Sequence, residues 1–143
     1  MYFINHEQID QRIQFLEVLA EACKKLEEQW GADEGDLILQ MAQERVLHLA
    51  IETVTDVGSL LIDAFILRDA SSYEDIVEIV QGEGAYSEAL TSILLELVKL
   101  RKPLVQEYVN WNREHFHPLI PKLPGAFEEF ASSVKAFIKK EME

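Results

Sequence analysis

A chain of 143 residues, 48% of them hydrophobic, is long enough for one domain, residues 1–143, around a single buried core. Its formal charge of −13 argues against free-standing binding to DNA, which calls for a basic surplus, so any nucleic-acid site must be local. Four prolines and six glycines among long periodic segments indicate an all-α bundle, and the most apolar window, Val46 to Leu67, is broken by His48, Glu52, Asp56 and Asp63 and is too polar for a bilayer span.

The N-terminal stretch Met1 to Glu7 has no basic region followed by an apolar run, so no secretory signal is expected. Asn5 with Gln8 three residues later reads as a helix N-cap with a reciprocal side chain. Ile9, Ile13, Leu16, Ala20, Cys23 and Trp30 then form one stripe, predicting a first helix from about Asn5 to Trp30. Cys23 is the single cysteine, sits on that apolar stripe and cannot form an internal disulfide, which fits a reducing cytoplasm. Gly31 to Gly35 is the expected connector.

A second helix is expected from near Asp36 through Leu67. From Val46 onward it is apolar around most of its circumference, more than a small monomeric bundle would cover, which predicts a homodimer built partly on this helix. Its polar residues Arg45, His48, Glu52, Asp56, Ser59 and Asp63 follow at steps of three and four and form a narrow stripe. That stripe is either the solvent edge of a central helix or one wall of a cleft. Glu44, His48 and Glu52 are four apart, but no Glu-x-x-His pair of the di-iron type occurs, and no metal site is expected.

Ser72, with Asp75 three residues on, caps a short helix from Tyr73 to about Gln81, ended by Gly82 and Gly84; Ser87 opens a fourth. Leu90, Ile93, Leu94, Leu97, Leu100, Leu104, Tyr108 and Trp111 carry helical spacing through the stretch from Leu100 to Val109. In that stretch Arg101 is costly unless its guanidinium finds a carboxylate or phosphate. Pro103 either kinks a continuous helix or opens a new one. In the second case Arg101 and Lys102 flank a helix N-terminus that favours an anion. The plainer reading makes Arg101 and Lys102 a solvated step and Tyr108 a half-buried phenol. Beyond Pro118 and Pro121 the spacing of Phe127, Phe130, Val134 and Phe137 predicts a last helix from about Pro124 to Glu141, with Lys139 and Lys140 matching its dipole. His115 and His117 beside the preceding turn read as surface residues.

Arg101, four residues, Gln106, Glu107 and Tyr108 resemble the Arg-x4-6-His motif, often Arg-x4-His-x-Tyr, of the HepT-like toxins in the HEPN superfamily (higher eukaryotes and prokaryotes nucleotide-binding). Gln106 stands where that family has histidine. The likeness extends over Glu44 to Gly58 and Phe65 to Ile76, spans roughly residues 36 to 110, and looks most like the YutE-like branch. It implies an up-and-down HEPN-type bundle of about four to five helices, dimeric, with two motif copies lining one cleft. It further implies a metal-independent ribonuclease toxin without cofactors and a nucleotidyltransferase-type antitoxin that in some members puts AMP on the motif tyrosine.

On this resemblance Arg101, Gln106 and Tyr108 occupy the catalytic positions, with Tyr108 also the modification site. Lys102, His48, Glu52 and Asp56 are candidates for substrate binding. RNA is cut without metal when a base activates the 2′-OH and a cation steadies the phosphorane. Arg101 can supply the cation, but the amide of Gln106 cannot take a proton. His48 and His115 are both candidates for the missing base. The alternative is a HEPN-fold nucleotide- or protein-binding module that keeps the cleft without catalysis.

Overall fold

The computed structural model describes residues 2–31 and 36–143; most of the expected Gly31–Gly35 connector lies outside the described residues. Five α-helices and no strands are present among them: α1 (His6–Gln29), α2 (Leu37–Ala64), α3 (Tyr73–Gly82), α4 (Glu88–Lys99) and α5 (Leu123–Met142). The caps read at Asn5 and Ser72 form, and Asp36 and Ser87 cap the helices expected to begin there. Asn5, Asp36, Ser72 and Ser87 each accept a hydrogen bond from the backbone N–H three residues on, and so satisfy one of the donors left free in a first helical turn.

The central element is α2, packed against α1, α3 and α4, while α5 closes the bundle against α1 and α4. The circumference expected to need a second chain is covered largely by this one: Leu47, Ala50, Ile51, Val54, Val57 and Leu61 are buried, and Leu49 and Leu60 only partly accessible. The Thr53 and Thr55 hydroxyls donate to the carbonyls of Leu49 and Ile51, so these buried polar groups are paired within the helix. Along α1 the buried positions Ile9, Ile13, Leu16, Leu19, Cys23 and Leu26 repeat at three and four. Burial, with a smaller contribution from Glu27, pushes the Cys23 thiol up to about 12, which leaves it a packing residue rather than a nucleophile.

Two local features set where α3 begins. After α2 the chain turns through Ile66 at φ 54°, in the left-handed region, and Leu67 N–H donates back to the Ile62 carbonyl at 3.0 Å. Asp75, buried in the first turn of α3, then accepts hydrogen bonds from the two terminal guanidinium nitrogens of Arg68, at 2.8 and 2.7 Å, and from the Ser71 N–H at 2.9 Å. Ser72 caps the Asp75 N–H as expected, while the Asp75 carboxylate accepts from the Ser71 N–H. These bonds pin the start of α3 and with it Tyr73. Further along α3, Ile76 packs on Gly58 of α2 so closely that a Cβ there would lie 2.5 Å from its Cγ2.

The stretch around Pro103 follows neither expected course. From Arg101 the chain enters a π-helical turn over Lys102–Gln106, then a 3-10 turn over Tyr108–Asn110. Leu104 N–H still reaches the Leu100 carbonyl at 2.9 Å, whereas Glu107 N–H reaches the Lys102 carbonyl, five residues back, at 3.0 Å. Pro103 has no N–H to give and its ring crowds the carbonyl four residues behind, so the turn widens instead of restarting. Tyr108 thus lies in the 3-10 turn beyond the π-helical one, not on a straight continuation of α4.

Candidate functional site: an arginine on a tyrosine face

Arg101 leaves α4 at the widened turn and lays its guanidinium over the Tyr73 ring, 4.3 Å from the centroid, an attraction between cation and ring quadrupole. Its Nε lies 3.9 Å from Glu52 Oε1, near enough for an ion pair but too far for a hydrogen bond. Nε is buried and, among the described residues, has no hydrogen-bond partner. The Tyr73 hydroxyl faces the same carboxylate at 3.4 and 3.5 Å. On the next turn of α2, His48 Nε2 lies 3.7 Å from Glu52 Oε1. Glu52 is thus the hub of a group made by three helices: His48 and Glu52 from α2, Tyr73 from α3, and Arg101 from the end of α4. The side chains of Arg101, Glu52 and His48 are each about one third exposed, at 33%, 34% and 32%. The group is open to a ligand while its inner atoms are shielded.

The polar stripe of α2 is divided. His48 and Glu52 turn toward Arg101, but Asp56 pairs with Arg12 of α1 at 3.2 Å and, with Ser59 and Asp63, lines a groove between α1 and α2. Of the four substrate-binding candidates, His48 and Glu52 join the group. Asp56 faces α1, and Lys102 is exposed at the start of the π turn. Gln106 is exposed at the end of that turn. Tyr108 is 60% exposed on the rim of a cavity of about 300 Å³ lined by Met41, Glu44, Arg45, His48, Leu104 and Val105. His48 therefore belongs both to the Arg101 group and to the cavity that Tyr108 borders.

A second set of contacts holds the Tyr108 segment in place. Arg113 approaches Glu44 Oε1 with Nη2 at 2.8 Å and Nε at 3.0 Å, and donates to the Tyr108 carbonyl at 3.3 Å. Buried Gln43 donates to the His115 carbonyl and accepts from the His117 N–H, both at 2.9 Å. His115 is exposed, as expected, but His117 is half-buried. It stacks on Trp111 at 6.1 Å, and its Nδ1 accepts from Leu119 N–H. Burial, then the neighbouring His115, pushes its imidazole below the ordinary value, with Glu96 opposing.

Sequence reasoning missed Tyr73, Arg113 and Gln43. Tyr73 had the weak signal of opening a capped helix inside the stretch that carries the resemblance, while Arg113 and Gln43 had none, because their partners are far away in the chain. No helix among the described residues is long and apolar enough to cross a membrane, and no group of three His, Cys, Asp or Glu that could hold a metal ion occurs among them.

A family model described as ribonuclease HepT-like matches residues 19–134. Over 142 residues the chain is 32% identical to the Bacillus subtilis (strain 168) protein named Putative RNase YutE, covering 99% of this chain and 95% of that one. The solved structure of the B. subtilis cytosolic protein of unknown function YutE matches with a TM-score of 0.85 at 30% identity, over 99% of this chain and 95% of that one. A tri-AMPylated Shewanella oneidensis HEPN toxin, solved in complex with its MNT antitoxin, matches with a TM-score of 0.80 at 18% identity, over 92% and 98% of the two chains; at that identity the likeness is one of fold. With the family model spanning most of its length, this chain belongs to the ribonuclease HepT-like family.

Proposed function

We propose that this protein is the toxin component of a toxin and antitoxin pair and that it cuts RNA without a metal ion, with Arg101 holding the scissile phosphate. The observation that carries the reading is the state of Arg101. Its guanidinium is oriented by the Tyr73 ring and, among the described residues, has one shielded nitrogen without a hydrogen bond and pairs with a carboxylate no nearer than 3.9 Å. An RNA phosphate offers shorter, forked hydrogen bonds to such a group. Lys102, exposed beside it, adds a second positive charge to an otherwise acidic chain.

The acting form is a homodimer in which two copies of this region border one trough. The exposed apolar residues Leu37, Ile38, Met41, Tyr108 and Val109 support it. Met41 and Tyr108 line the same cavity, so part of this surface adjoins the site. The partner is a nucleotidyltransferase-type antitoxin, a reading supported by the fold shared with the S. oneidensis toxin. Tyr108 is the acceptor for AMP, since its ring is exposed at the cavity rim; the added anion would compete with RNA for the same cations. The site of action is the cytoplasm.

One observation favours a second reading, a binding module without catalysis: the residue at the motif histidine's position, Gln106, cannot titrate. Purified protein incubated with total RNA in chelator, beside Arg101→Ala, separates the two. Cleavage by the wild type and at least a 100-fold loss in the variant, of the order expected for a lost charge-stabilising donor, supports the ribonuclease. No cleavage by either, with retained capture of the antitoxin, establishes the binding module.

A further inference from the structure

We infer that His48 accepts the proton that the motif histidine would otherwise take. The inference deepens the ribonuclease reading and rests on it. Gln106 has no titratable group, so a cleaving site needs a base from elsewhere in the fold. Among the four histidines, His6 is exposed at the first position of α1, and His115 is exposed on the loop that Gln43 clamps. His117 has its Nδ1 engaged by Leu119 N–H and its ring against Trp111. His48 alone of the four meets three conditions at once. It faces the same carboxylate oxygen as Arg101, at 3.7 Å against 3.9 Å. It lines the cavity bordered by Tyr108. It is one third exposed, so its ring can meet both substrate and solvent.

The geometry gives Glu52 a positioning role. Its Oε1 lies beside His48 Nε2 and orients the ring so that Nδ1 is left to accept a proton, and the same oxygen faces the Arg101 guanidinium that rests on Tyr73. In the reaction His48 takes the proton of the ribose 2′-hydroxyl and the 2′-oxygen forms a bond to phosphorus. The bond from phosphorus to the 5′-oxygen breaks, leaving a 2′,3′-cyclic phosphate. The departing 5′-oxygen takes a proton from water and His48 returns its own to solvent, so protons and electrons balance. Arg101 holds the non-bridging oxygens throughout.

The test is single-turnover cleavage of RNA in chelator, followed against pH, for the wild type, His48→Gln, His48→Ala and Arg101→Ala. The intact fold of each variant is checked by its helical circular dichroism. Binding of a 2′-O-methyl RNA, which cannot react, is measured in parallel. The wild-type rate should rise about tenfold per pH unit on the acid side and level off once the imidazole is neutral. His48→Gln should be slower by about 100- to 10,000-fold and without that acid limb, a loss far larger than any change in its binding of the inert RNA. Added imidazole should restore part of the rate to His48→Ala. A His48→Gln variant that keeps both the rate and the acid limb, while Arg101→Ala is inactive, overturns the role of His48 and leaves the ribonuclease standing. A wild type that leaves RNA whole at every pH overturns both.

Discussion

Replacing Gly58 with alanine tests the contact that places Tyr73 beneath Arg101. In an ordinary helix interior this change stabilises by about 0.8–1.0 kcal/mol, because glycine is the more flexible residue in the unfolded chain. Here the new Cβ would sit 2.5 Å from Ile76 Cγ2, about an ångström inside normal carbon contact. Ile76 is β-branched and stiff at χ1, so its methyl cannot swing aside and α3 itself must move. Overpacking of this kind costs about 1–3 kcal/mol, leaving a net loss of about 1 kcal/mol and at most about 2. Thermal unfolding should show this as a midpoint lowered by about 3 °C per kcal/mol in a chain of this length. The decisive arm is the pair: in an Ile76→Ala background the obstacle is gone, and Gly58→Ala should become stabilising by up to about 1 kcal/mol. A Gly58→Ala protein that is more stable than the wild type in both backgrounds would refute the close approach of α2 and α3, and with it the account of how Tyr73 is held.

Two further outcomes follow from the same junction. Ile66 at φ 54° occupies a conformation costing a β-branched residue about 1–2 kcal/mol, so Ile66→Gly should gain roughly 0.5–1 kcal/mol after the entropy of the unfolded glycine is subtracted, readable in urea unfolding; a loss would contradict the strain. Asp75 is held well below the ordinary carboxylate range, first by the Arg68 hydrogen bonds and then by Ser71 N–H. Its contribution is complete above the unfolded value of 3.8 and is lost as pH falls toward the folded value. Unfolding midpoints followed from about pH 5 down to about pH 2 should therefore fall less steeply for Asp75→Asn than for the wild type. Parallel curves would show that Arg68 and Asp75 are not paired in solution.

Amino-acid order by itself determined the helical class, the starts of four helices at Asn5, Asp36, Ser72 and Ser87, the buried stripe of α1, the span of α5 and the motif that marks the family. These are legible because a capping side chain, a three-and-four repeat and a proline in a first turn act within one helical turn of backbone. Tertiary packing decided the rest. Asp56 meets Arg12 across 44 residues, Tyr73 meets Glu52 across 21, and Arg113 meets Glu44 across 69. Such pairings depend on how helices cross, which no local repeat encodes. The polar stripe of α2 looked uniform, yet it splits between Glu52 and Asp56 because Asp56 meets Arg12 of α1 while Glu52 meets Tyr73 of α3 and Arg101. Pro103 was visible as a disturbance, but whether it bent, ended or widened the helix depended on which carbonyls remained within reach once α4 had packed. That choice turned Arg101 toward Tyr73, sent Tyr108 to the cavity rim, and left His48 as the side chain shared by both.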